Sequence, residues 1–252
     1  MKMLLISDVH SNIDALNAVW DRESDADCIY CAGDLVDYGF FPHEVIAWCR
    51  EHEVQAVAGN HDREITAVAS GRRPLVPGTF AAYNLERLDE DDLAYLNALP
   101  AEKRFVLDGS TYYMTHCCVW EDEASYPHAL ASYSSYQLFC GLWAQRMSSV
   151  QCADAGIVPT DNRRIIAGHT HHCGLHLPAP DSCMLNPGSV SYRLGGDSAM
   201  KGADYMVIED GVILPRHVAY PSAHLLDMVE QAGFLPDQTA VGRSFYSPQE
   251  TF

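Results

Sequence analysis

The chain alternates short apolar runs with polar residues that follow at once. MLLIS, CIYCAG, VQAVAG, TYYMT and RIIAG have the composition of β-strands. Between the early runs, Ile13, Leu16, Val19 and Trp20 recur at helical spacing, after a Ser11-x-x-Asp14 start that has the form of a capping box. Val45, Ile46 and Cys49 repeat the same spacing one segment later. Strand, helix, strand, helix, strand at this pitch predicts βαβ units and a largely parallel sheet. Residues 62–100 read as mostly helical, with Leu85, Leu88, Leu96 and Leu99 on apolar faces and Pro100 as a stop. RFVLDGSTYYMTH predicts a hairpin turning at Asp108-Gly109.

Residues 121–150, rich in Tyr, Trp and Phe, read as helical, serving as a lid or as core packing, or else stacking a base. GLHLP, SCMLNPGSV and YMVIEDGVILPRHVAY return to strands, the last with a turn at Gly211. The final thirty or so residues carry weak signals and fit either a tail or an oligomer contact. No repeat or linker divides the chain. It reads as one domain over 1–220 with helical insertions near 62–100 and 121–150, and 221–252 as an extension of it.

Charge narrows the partners. With a formal charge of -18 and only 16 Lys and Arg in 252 residues, the chain lacks the clustered cations that duplex nucleic acid or an anionic membrane requires. A compact anion remains a possible substrate if bound metal ions reverse the field locally. No run approaches the roughly 18 apolar residues of a membrane helix, and MKMLLISDVH reaches Asp8 too early for a signal peptide. The nine cysteines are odd in number and scattered, and read as reduced thiols of a cytoplasmic protein. Cys28 and Cys31, in an apolar run with no second pair, read as small buried hydrophobes.

The polar residues that end the strands form a pattern of their own. The first ends in Asp8-Val9-His10 and the second in Gly33-Asp34. The third ends in Gly59-Asn60-His61-Asp62, the fourth in His116, and the fifth in Gly168-His169-Thr170-His171. Open α/β sheets gather such residues in one crevice at the carboxyl ends of their strands. Two carboxylates, one amide oxygen and four imidazoles are too many ligands for one ion and suit two ions sharing a carboxylate. Without cysteine in the set, manganese, iron or zinc fits better than an iron–sulfur cluster. The glycines before Asp34, Asn60 and His169 allow the backbone to leave a strand sharply.

D-x-H, G-D, G-N-H-D, H and G-H-x-H, in this order, resemble the calcineurin-like metallophosphoesterases over roughly residues 1–215. The span includes an Asn186-Pro187-Gly188-Ser189 turn common in the family's smaller phosphodiesterase-like members. The resemblance implies a four-layer αββα sandwich of two mixed sheets. It implies one cation on Asp8, His10, Asp34 and His171 and a second on Asp34, Asn60, His116 and His169, with Asp34 shared. His172 is left for a supporting role. The two ions contribute +4, Asp8 and Asp34 offset two charges and a bridging hydroxide one more, so the centre keeps a charge of about +1 that attracts phosphate. That hydroxide would attack phosphorus in line, and His61 resembles the family histidine that protonates the leaving oxygen. Asp37, in GDLVDYG, falls where one branch of the family orients that histidine, although a simple turn role also fits.

Two departures bear on substrate. Tyr38 stands where the phosphoprotein-phosphatase branch has an arginine, and Asp62 where it has a glutamate. Loss of a bidentate clamp disfavours a dianionic phosphomonoester on a protein. Arg63 and Arg193 would replace it beside Asn60 and His61, unless they serve surface ion pairs instead. Cys117, beside His116, is a bystander or an oxidation liability. The expected activity is phosphodiester hydrolysis on small or nucleotide-like substrates. Dinucleoside polyphosphate hydrolysis is the nearest rival, and a non-catalytic binding scaffold the alternative of another class. A monomer or a homodimer is compatible with the sequence.

Overall fold

A computed structural model describes residues 1–117, 163–179, 182–192 and 202–246. Two five-stranded mixed sheets pack face to face. The first has the order β10-β9-β1-β2-β3 and the second β4-β5-β6-β8-β7. In the first sheet β1 (Lys2–Ile6), β2 (Cys28–Cys31) and β3 (Gln55–Ala56) are parallel. β9 (Ala203–Glu209) runs antiparallel to β1, and β10 (Val212–Val218) antiparallel to β9. The second sheet pairs β5 (Ser110–Thr115), β6 (Arg163–Ile166) and β8 (Ser182–Asn186) in parallel. Antiparallel edges are added by β4 (Glu102–Leu107) and β7 (Gly174–Ala179).

The two-residue period of β1 assigns its side chains to two cores. Leu4 and Ile6 meet Leu16 and Val19 of α1 (Ile13–Glu23) and Val45 and Ile46 of α2 (Pro42–Glu51). Met3 and Leu5 face the second sheet, where Tyr112, Met114, Ile166 and Leu185 close on them. Met206 and Ile208 of β9 join this inter-sheet core, while Tyr205 and Val207 turn to the helices. Tyr113, Ile165 and Met184, which alternate with Tyr112, Met114, Ile166 and Leu185 along the second sheet, are buried as well. The α/β sandwich of two mixed sheets is thus in place. The helix expected over 121–150 lies outside the described residues.

The 62–100 stretch divides into α3 (Asn60–Ala69), α4 (Phe80–Leu85) and α5 (Glu90–Ala98), and the Asp108-Gly109 turn has both residues at positive φ, as a tight hairpin demands. Some readings need correction. The sheets are mixed, because β9 and β4 return antiparallel, where the early pitch alone suggested a largely parallel sheet. VQAVAG supplies only two ladder residues, since Val57 already leaves the strand toward the inter-sheet core. The cap of α1 is Asn12, whose side chain accepts from the Ala15 amide. Ser11 instead donates its hydroxyl to Asn84 Oδ1 at 2.6 Å. The weak C-terminal stretch forms α6 (Ala223–Gln231) and α7 (Pro236–Tyr246), whose Leu225, Val229 and Tyr246 pack with Phe40 and Phe80. Cys28 and Cys31 point into opposite cores, as separate small hydrophobes. Among the described residues no helix is long and apolar enough to cross a membrane.

Leu5, fully buried between the sheets, tests this packing. Leu5→Ala should lower unfolding free energy by about 2–5 kcal/mol, read from the urea midpoint at constant slope.

Candidate metal centre

The carboxyl ends of β1, β2 and β3 from one sheet meet those of β5 and β6 from the other. The loops there are pinned to each other by backbone bonds. Asp8 donates to Gly33, His10 to Asp34 and Ser11 to Leu35, at 2.9–3.0 Å. Gly168 donates to His116 across the second sheet at 2.8 Å. Asp8, His10, Asp34, His169 and His171 all lie at φ between 47° and 65°. Non-glycine residues enter this left-handed region rarely and at a cost. Gly33 shares it, at φ 96°. Gly59 and Gly168 are glycines for a different reason. A Cβ on the first would sit 1.9 Å from Asp34 Oδ1, and one on the second 2.0 Å from Ser7 Oγ.

At these strand ends acid and imidazole groups converge in two sets. Asp8, His10 and His171 form one, and Asp34, His116 and His169 the other. His10 Nε2 is 3.2 Å from His171 Nε2, which is 3.1 Å from Asp8 Oδ1. In the second set His116 Nε2 is 3.1 Å from Asp34 Oδ2 and 3.3 Å from His169 Nδ1. Asn60 Oδ1 lies within 2.9–3.0 Å of both those histidines. Asp34 Oδ2 is also 3.8 Å from His10 Nε2, so this one oxygen stands between the sets.

The chemistry of these donors fits divalent cations. His116 Nδ1 is held by the Ala32 carbonyl at 2.8 Å and His171 Nδ1 by the Tyr192 carbonyl at 3.1 Å. Each Nδ1 must donate there, which leaves the neutral ring's Nε2 as a lone pair. Those lone pairs face carboxylate oxygens, acceptor against acceptor, an arrangement that a shared cation or an added proton must reconcile. Burial opposes a charged His116, yet Asp34 outweighs it and lifts the ring to about 10. Burial would raise the Asp8 carboxyl, but His171 holds it down at about 2. Burial keeps His10 and His169 neutral, at about 3, with lone pairs available.

Beside the sets, His61 Nδ1 meets Asp37 Oδ2 at 2.8 Å, and the His61 amide donates to Asp34 Oδ1 at 2.9 Å. Burial works against an imidazolium here, but the Asp34 charge and the Asp37 hydrogen bond prevail and raise His61 to about 9. Tyr38 packs on His61 with ring centres 4.5 Å apart. Arg63 is exposed on α3, and Arg193 lies outside the described residues. His172 is buried beside the second GHTH imidazole in sequence.

Several buried polar residues escaped sequence reasoning. The Asp62 carboxylate accepts the backbone N–H groups of Asp34, Leu35, Val36 and Gly59, at 2.8–3.2 Å. Its place in GNHD signalled the motif but not this task. Asn84, fully buried, accepts from Ser11 and from the Asp37 amide and donates to the Gly39 carbonyl. Nothing in a helical stretch announces such a residue. Asn186 donates to the Gly168 carbonyl and Thr170 hydroxyl, and Ser189 donates to the Asp8 carbonyl. The NPGS turn was the available signal for both.

Such a sandwich, with acid–imidazole sets at the strand ends, defines a metallophosphoesterase. A family model described as the calcineurin-like phosphoesterase superfamily domain matches residues 1–209, and the chain belongs to that superfamily. It is 31% identical over 139 residues to a symmetrical bis(5'-nucleosyl)-tetraphosphatase of Paracidovorax citrulli, covering 51% of this chain and 49% of that protein. The chain spans about half the length, or less, of the curated relatives it matches. Among solved structures it resembles a metallophosphoesterase from Sphaerobacter thermophilus, with TM-score 0.65 and 23% identity over 96% of this chain and 100% of that one. A hypothetical protein from Pyrococcus horikoshii gives TM-score 0.72 at 13% identity, over 99% of both chains. These two likenesses are of fold.

Removing the Asp62 carboxylate strands four buried donors at about 1–3 kcal/mol each before relaxation. Asp62→Ala should therefore cost about 3 kcal/mol or more in denaturant unfolding, and Asp62→Asn less.

Proposed function

We propose that the chain is a dinuclear, divalent-metal-dependent phosphoester hydrolase acting on small or nucleotide-like phosphodiesters. Asp8, His10, Asp34 and His171 hold one cation, and Asp34, Asn60, His116 and His169 the other. The observation that carries this reading is the Asp34 Oδ2 atom, 3.1 Å from His116 Nε2 and 3.8 Å from His10 Nε2. When bound, the cations supply Lewis acidity toward phosphoryl oxygens and acidify water near neutral pH. His61 delivers a proton to the leaving oxygen. Asp37 fixes the His61 ring through Nδ1, which leaves Nε2 as the atom that gives up its proton. Tyr38, in place of a guanidinium, offers no bidentate grip on a phosphomonoester and leaves room for an esterified one. Cleavage of dinucleoside polyphosphates is the second reading, favoured by the likeness to the symmetrical bis(5'-nucleosyl)-tetraphosphatase of Paracidovorax citrulli. A scaffold role would not need the ligand set and His61 gathered together.

Purified protein should hydrolyse bis(p-nitrophenyl) phosphate with added Mn²⁺, lose the activity to a chelator and regain it on metal return. Diadenosine tetraphosphate assayed in parallel ranks the two readings, and failure on every phosphoester at full metal loading would overturn both. His61→Ala should lower kcat by about 10²–10⁴ while bound metal stays unchanged.

A proton donor works only below its pKa, so activity should fall on the alkaline side as His61 deprotonates. Asp37→Asn removes a partner that raises that pKa and should move the alkaline limb of the kcat profile to lower pH by about one unit. A limb that stays in place would remove Asp37 from the mechanism.

A further inference from the structure

Tyr192 follows β8 in the loop beyond Asn186 and reaches the Asp8–His10–His171 set twice. Its carbonyl accepts the His171 Nδ1 proton at 3.1 Å, which turns the bare Nε2 toward Asp8 Oδ1. Its ring lies 4.4 Å from the His171 ring and 5.4 Å from the His10 ring, the latter nearly parallel at 29°. The loop itself is stitched to β1. Val190 donates to the Ser7 carbonyl, and the Ser191 amide and Ser189 hydroxyl both reach the Asp8 carbonyl. What the loop bonds leave undetermined is the attitude of the Tyr192 ring.

Phe245 settles that attitude. It stacks on Tyr192 with ring centres 3.4 Å apart and planes at 17°. Phe245 sits at the end of α7, beyond the residues that the family model matches. The end of α7 is anchored independently, because Tyr246 is buried with Phe40 and Phe80 and its hydroxyl donates to the Tyr38 carbonyl at 3.4 Å. A stack of Phe245, Tyr192 and His10 therefore runs from the C-terminal helix to the first ligand set. The second set has a different support, since His116 Nδ1 is held by the Ala32 carbonyl at the end of β2.

We propose that Tyr192, backed by Phe245, is a positioning residue for the cation of the Asp8–His10–His171 set and not for its neighbour. The inference rests on the dinuclear reading above. Groups that orient a ligand histidine through its far side change metal affinity by about 10–100-fold when lost. A ring that clamps two ligand histidines belongs to this class, whereas a ring that merely fills space would leave metal affinity unmoved.

The test is Mn²⁺ titration by calorimetry, with the metal alone and no substrate. In a His169→Gln background the remaining tight site is the first set, and in a His10→Gln background it is the second. Tyr192→Ala should weaken Mn²⁺ binding about tenfold in the first background and less than about twofold in the second. Phe245→Ala should act in the same direction, and its only partly buried ring makes it the variant to use if Tyr192→Ala does not fold. Tyr192→Phe and Phe245→Tyr, which keep the rings, should bind as the parent does. No change in the first background, or equal changes in both, overturns the positioning role while leaving the dinuclear reading intact. Wild-type protein that binds fewer than two Mn²⁺ removes the dinuclear reading and the positioning role with it.

Discussion

The strand ends depend on the Asp62 carboxylate, which gathers four backbone N–H groups from two separate loops. Without an acceptor at that point the Gly33–Val36 loop would have its amides pointing into a dry interior, and the turn at Gly59 would have nothing to close against. With it, the loop can fold back over α3, and Asp34 is delivered to the gap between two sets of imidazoles. Eight non-glycine residues around the centre stand in the left-handed region, among them Asp8, His10, Asp34, His169 and His171. Each such residue costs on the order of 1 kcal/mol or more. The loop-to-loop bonds and the buried carboxylate are what hold that cost in place.

The same constraint explains why two sheets are needed. The first supplies Asp8, His10, Asp34 and Asn60 from its parallel strands, and the second supplies His116, His169 and His171. The inter-sheet core of Met3, Leu5, Met114, Ile166 and Leu185 fixes one set of strand ends against the other. Several bonds then cross the boundary close to the centre. His116 reaches the Ala32 carbonyl, and the His169 amide reaches the Asp8 carboxylate at 3.0 Å. Small changes of sheet packing are thereby felt as changes in ligand geometry.

Much of this was legible because strand composition and strand-end chemistry coincide. Short runs such as MLLIS and RIIAG announce buried strands by composition, and the polar residues after them can only lie at the strand ends. The Asp108-Gly109 hairpin was legible for the same local reason, both residues accepting positive φ. What escaped was long-range. Ser11 prefers Asn84, 73 residues away, to the helix it precedes, a choice that no local pattern encodes. The antiparallel return of β9 beside β1 joins residues some 200 apart, and the early βαβ pitch carries no trace of it. α7 was faint because few apolar positions mark it, and the partners of both α6 and α7, Phe40 and Phe80, come from distant segments.

The acidity of the chain then takes on a specific meaning. A formal charge of -18 would repel a phosphoester everywhere except where cations are held. Within the centre two carboxylates face four imidazoles. Asp34 lies well below the usual carboxylate range: burial would raise it, but His116 and His61 prevail. Such a pocket takes on positive charge readily, as protons or as metal, and the carboxylates remain ionised to receive it. Tyr38 completes this division of labour. By placing an aromatic ring against His61, Tyr38 keeps a cationic side chain away from that imidazole. The charge of His61 is therefore set against burial by Asp34 and Asp37.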